Sequence, residues 1–218
     1  FSTSISSVQL TLSVFLWGLA LGQLFWGPLS DRIGRKKTIF FGLILYLIAT
    51  FFCIESSSIT LLIIMRLMQS LGAAAATVVS IAMIKDEFDE SEVPQVMAMM
   101  LSIMIVAPII APIIGSQLTA LWGWSSVFIF LGGYGLFILM SLPAVRSTYQ
   151  ADKNQLLTVP RLVRAYANQL CVPAFILAAI MTSLSFSLLF AFISSSSFIY
   201  QHYFLVKPVN FGYYFAVN

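Results

Sequence analysis

The chain has 218 residues, of which 60% are hydrophobic and 9% charged, and its mean hydropathy is +0.96. So little polar surface cannot cover that apolar mass in water, which excludes a soluble globular domain and makes lipid the solvent. The net charge of +3 does not point to nucleic acid, because nearly all of the cations lie in polar stretches that flank apolar runs.

A membrane-crossing helix needs about 20 apolar residues. Such runs occupy 8–28, 38–54, 59–84, 93–118, 123–143 and 170–193, and a further one begins near Phe211. The predicted fold class is all-α, a polytopic transmembrane helical bundle. Lys and Arg alternate between the connections: four in 29–37, none in 55–58, Lys85 in 85–92, none in the Trp122-Gly123-Trp124 link, Arg146, Lys153, Arg161 and Arg164 in 144–169, and Lys207 in 194–210. Nine cations therefore fall on one side and one on the other. The positive-inside rule then places the amino end outside and 29–37, 85–92 and 144–169 in the cytoplasm. Trp122, Trp124, Tyr200 and Tyr203 fall at interfaces, where an amphipathic ring is at home. Cys53 and Cys171 lie on opposite faces in this topology, which argues against a disulfide. The long polar stretch, 144–169, reads as a cytoplasmic linker with a short surface helix from Leu156 to Tyr166, between a bundle at 1–143 and the start of a second at 170–218. Opening on Phe1 and stopping inside an apolar run, the sequence reads as cut at both ends.

Four stretches carry chemistry. Residues 27–37 read Gly-Pro-Leu-Ser-Asp-Arg-Ile-Gly-Arg-Lys-Lys, in which Gly27-Pro28 ends a helix, Asp31 caps or pairs, and Gly34 makes a sharp turn between Arg32 and Arg35, ahead of Lys36 and Lys37. Arg66 lies inside the third run, where a charge costs roughly 2.5–3.5 kcal/mol unless it meets water or a partner. Two readings stand: a snorkelling residue, or one of a polar stripe with Gln69 at i+3, facing a cavity. The small residues 72–76 after it let another helix approach closely. In 107–116, Pro108 and Pro112 remove two backbone donors on one helical face and predict a bend. Phe186 and Phe190, with interleaved serines, suit either a cavity for bulky apolar solutes or ordinary packing. His202 is assigned no role. Catalytic constellation, metal-ligand cluster and phosphate-binding glycine loop are all lacking, so neither an enzyme nor a cofactor or metal is expected.

The 27–37 string resembles the major facilitator superfamily signature Gly-x-Leu-x-Asp-Arg-x-Gly-Arg-Arg/Lys. Arg66-Leu67-Met68-Gln69-Ser70-Leu71-Gly72-Ala73 resembles the family's fourth-helix pattern Arg-x-x-Gln-Gly-x-Gly-Ala, with Ser70 for a glycine. Ala111-Pro112-Ile113-Ile114-Gly115-Ser116 is similar to the fifth-helix antiporter motif Gly-Pro-x-x-Gly-Gly, with Ala111 and Ser116 for two glycines; the alanine before proline resembles the Bcr/CflA-like branch. The resemblance implies helices two to seven and the start of eight of a twelve-helix drug:proton antiporter in the bacterial inner membrane, a monomer when full length. It further implies that Arg66 and Gln69 couple to protons, that Gly27, Asp31, Arg32, Gly34, Arg35 and Lys36 form a conformational switch, and that Pro108, Ala111, Pro112 and Gly115 shape the gating helix. The partners implied are protons, a small lipophilic substrate and the bilayer. A metabolite transporter and an inactive membrane-embedded fragment are the alternatives. All eight acids fall in connections or at span ends, leaving Arg66 without an acidic partner in this sequence.

Overall fold

The computed structural model describes residues 5–145, 149 and 159–217. Among them are eight α-helices and no strand: α1 (Ile5–Ile33), α2 (Arg35–Ile54), α3 (Ile59–Glu87), α4 (Val93–Trp122), α5 (Ser125–Ser141), α6 (Val159–Leu170), α7 (Pro173–Phe198) and α8 (Pro208–Val217). α1 to α4, α7, and α5 together with the 3-10 turn Leu142–Ala144 that follows it are each long and apolar enough to cross a bilayer. Backbone in hydrocarbon finds no water, so a crossing segment must close its own hydrogen bonds, and the helix does so. Proline opens α4, α6, α7 and α8 in the first turn, where its missing N–H removes no helical bond. Ser58 caps α3, its hydroxyl accepting from the Leu61 amide at 3.2 Å.

α3 is wedged between α1 and α2, which scarcely touch each other. Small residues set that spacing. A Cβ at Gly72 would lie 2.5 Å from the Tyr46 nitrogen and 2.6 Å from the Gly42 carbonyl, and Ala74 and Ala75 are fully buried. Ser70, where the family pattern has glycine, faces Gly18 of α1, so the space lost on one helix is returned by the other. Trp26 packs on Ala74 and Ala75, and its indole N–H donates to the Leu71 carbonyl at 2.8 Å. α5 lies on the other side of α2, with a core of Ile39, Leu43, Val79 and Leu142. α4 buries no residue fully and leaves an apolar groove of about 940 Å³ against α5. α8 packs along α4, its Gly212 seated on the backbone of Pro112 and Ile113.

Several expectations change. α1 does not end at Gly27-Pro28 but runs on to Ile33, and the turn expected over 29–37 is a single residue, Gly34. Gly34 adopts φ 95° and ψ 150°, a conformation essentially restricted to glycine, and so reverses the chain without a loop. α7 continues through the serines at 194–197 and closes with a π-helical turn, Ile199–Tyr203, because a hydroxyl such as that of Ser196 donates back to the Ile193 carbonyl at 3.0 Å and needs no water. Among the described residues the surface helix covers Val159–Leu170 and so runs past the expected end at Tyr166. Arg146, Asp152, Lys153, Asn154, Gln155 and Leu156 lie outside the described residues.

Candidate functional site

Arg66 sits where four helices converge. Its guanidinium donates to the side-chain oxygen Oε1 of Gln69 at 2.7 Å, one helical turn on. Its central carbon lies 4.3 Å from the Phe15 ring of α1 and 5.6 Å from the Phe128 ring of α5. The Gln69 amide in turn donates to the Thr50 hydroxyl of α2 at 2.7 Å, and Thr50 donates to the Tyr46 carbonyl at 2.6 Å. Gln69 is 1% exposed. It is therefore not part of a stripe facing a cavity, because its two polar ends are both used, one holding Arg66 and the other anchored on α2. Among the described residues no carboxylate forms an ion pair with Arg66. Two aromatic faces and one amide are what balance the cation, and a planar guanidinium suits them.

The second cluster surrounds the one-residue turn. Arg35, 7% exposed, donates from Nε to Asp86 at 2.7 Å and from a terminal nitrogen to both Ser30, at 2.6 Å, and Asp31. Arg35, Lys36 and Lys37 open α2, where the helix dipole is positive, so Asp31 and Asp86 offset a charge arrangement the helix itself disfavours. Tyr149 adds a ring face 4.1 Å from the Arg35 guanidinium carbon. Lys36 donates to the Pro143 carbonyl at 3.3 Å. Arg32 and Lys37 are exposed, and Gly27 faces Val78 across van der Waals distance. The sequence reading missed Asp86 and Tyr149. Asp86 carried only the weak signal of an acid at the end of a span whose cytoplasmic side also held the cations.

The proline helix has two faces. Ala107, Ala111 and Gly115 line the α4–α5 groove, where nothing stands within contact distance of a Cβ at Gly115. Pro112 belongs to the other face, against Gly212 of α8. Ser116 and Gln117 both donate to the Val209 carbonyl, Gln117 at 3.3 Å. Pro108 lies in the same helix four residues before Pro112. Phe186 is exposed on α7 and Phe190 half-buried, and neither lines the groove or the cleft of about 550 Å³ between α1 and α7. That cleft is lined instead by Gln9, Thr11, Ser197, Phe198, Gln201 and His202, with the imidazole 4.9 Å from the Phe198 ring. Cys53 and Cys171 are free thiols.

A basic one-residue turn, an arginine flanked by two rings inside the third helix and a proline helix facing a groove lie within a polytopic bundle of membrane-crossing length. The profile of the Major Facilitator Superfamily matches residues 1–218, and the chain belongs to that family. It is 31% identical to a bicyclomycin resistance protein homolog of Haemophilus influenzae over 97% of the chain and 53% of that protein. It is 31% identical to the MFS-type transporter YdgK of Bacillus subtilis, over 100% of the chain and 55% of that protein. It is 30% identical to the multidrug resistance protein MdtL of a Shewanella species, over 88% of the chain and 48% of that protein. The chain thus spans about half the length of the curated relatives it matches.

Proposed function

We propose that this chain is part of a bacterial inner-membrane exporter that exchanges protons for a lipophilic drug by alternating access between two helical bundles. The observation that carries the reading is Arg66. A half-buried cation held by an amide and two ring faces, with no ion-pair partner among the described residues, is poised to act on an acid supplied from elsewhere in the full gene product. Proximity to such a cation favours the ionised carboxylate, and movement of the acid away from it raises its proton affinity, which links protonation to conformation. The names of the relatives favour drugs over a single metabolite as cargo. An apolar α4–α5 groove fits a lipophilic solute better than a charged one. In this reading the Asp31, Arg35 and Asp86 cluster is the switch that holds one conformation closed at its end, with Gly27, Arg32, Gly34 and Lys36 shaping it, and Pro108, Ala111, Pro112 and Gly115 let α4 yield during gating.

The test uses the full gene product in a host stripped of its own drug pumps. Energised cells expressing it should extrude a lipophilic fluorescent dye, and inverted vesicles should release protons when dye is added. Arg66→Ala should bring both signals to background with the protein still inserted. Dye extrusion at the unaltered rate by that variant would reduce Arg66 to a snorkelling side chain and remove the basis of the proposal.

A further inference from the structure

The segment between α5 and α7 reaches back to α1 through two tyrosines, and each ends on a carbonyl that the sequence leaves without a helical donor. Pro28 has no N–H, so the carbonyl of Leu24, four residues earlier in the same helix, loses its partner. The Tyr166 hydroxyl of α6 donates to that oxygen at 3.1 Å. α1 stops at Ile33, so the Asp31 carbonyl belongs to the last turn, which no further helical amide reaches. The Tyr149 hydroxyl donates to it, also at 3.1 Å, while the same ring lies over Arg35. The Lys36 ammonium on the Pro143 carbonyl makes a third tie. These contacts come from the start, middle and end of one connection and converge on one end of α1 and α2.

We propose that Tyr149 and Tyr166 are positioning residues that clasp the connection onto α1 and the Gly34 turn, so that the ion pairs of Arg35 and the placement of α7 change together. α6 leads into α7 through only Cys171 and Val172, so a shift of α6 is passed on to α7. The role in transport rests on the reading of the turn as a switch; the clasp itself does not. Arg35 is the element both sides share. Its guanidinium faces Ser30, Asp31 and Asp86 on the bundle and the ring of Tyr149 on the connection, so breaking the ion pairs also removes the cation on which the ring rests. Pro28 marks the other attachment point, since it creates the acceptor that Tyr166 fills.

The chain in native membranes is treated with limiting trypsin, and cleavage after Arg164, inside α6, is followed by mass spectrometry. Such cleavage tracks the population in which the connection is released. Tyr149→Leu loses the stack and the hydrogen bond and should be cut about tenfold faster. Tyr149→Phe keeps the ring and should be cut about threefold faster, as should Tyr166→Phe, each having lost one neutral hydrogen bond. In a Pro28→Ala background residue 28 regains its N–H, the Leu24 carbonyl is satisfied within the helix, and Tyr166→Phe should no longer alter the rate. The conservative phenylalanine variants keep the test informative where the leucine variant misfolds. Unchanged cleavage in Tyr149→Leu, or a Tyr166→Phe effect that persists alongside Pro28→Ala, overturns the proposal. Arg66→Ala should leave all these rates unchanged, so loss of the drug-export reading and loss of the clasp give different results.

Discussion

At the scale of single residues, the Arg66 site separates charge from shape. Lysine keeps the charge but is more strongly hydrated and has no planar face to lay on Phe15. Arg66→Lys should therefore insert normally while dye efflux by the full gene product falls at least about tenfold, the equivalent of about 1.4 kcal/mol, as initial rates at a fixed proton gradient would show. Gln69→Leu tests the support beneath it. Removing a fully buried amide strands the guanidinium and deprives Thr50 of its donor, and should lower stability by about 1–3 kcal/mol in detergent unfolding followed by tryptophan fluorescence. The Arg66 to Gln69 contact was legible in the sequence because i and i+3 share a helical face. Phe15, Thr50 and Phe128 were not, because each arrives on a different helix and none is unusual in an apolar run.

At the scale of helices, close approach is what the small residues secure. Gly72→Ala would drive a methyl group into the α2 backbone at Tyr46 and Gly42, where no side chain can swing aside, and should destabilise the chain by about 1–3 kcal/mol. Gly34→Ala acts through the backbone alone. Forcing a side chain into φ 95°, ψ 150° should cost about 1–3 kcal/mol and loosen the Asp31–Arg35 pair. Both are read from the midpoint of unfolding in a mixed detergent series. A Gly34→Ala midpoint equal to the unaltered protein would mean that the one-residue turn can relax. Periodicity and length placed the crossing helices closely, but helix ends moved. Pro28 did not stop α1, because its one freed carbonyl is satisfied from a helix distant in sequence, which no local signal announces.

At the scale of the molecule, the connections at residue 34, after α3 and after α5 come together at one end, tied by Arg35 to Asp86 and by Lys36 to Pro143. The positive-inside rule puts that end in the cytoplasm. In a chain whose Cys53 and Cys171 are replaced, a cysteine at Ser57 should react with an impermeant maleimide from the outside of intact cells. A cysteine at Ser91 should react only in inverted vesicles. The reverse pattern would invert the whole topology and with it the side on which Arg35 works.

The sequence alone determined the solvent, the helical class, the number of crossing runs and the family motifs, because these depend on apolar length, local spacing and cation placement along one chain. Only the tertiary structure decided what each motif touches. It turned Gln69 away from a cavity and onto Thr50, paired Arg35 with Asp86, set Pro112 against Gly212, and brought Tyr149 and Tyr166 to carbonyls left open by a helix end and a proline. Those contacts join residues far apart in the chain, and which distant helix meets which is set by the fit of small residues and unsatisfied polar groups in three dimensions. A one-dimensional pattern does not encode that fit locally.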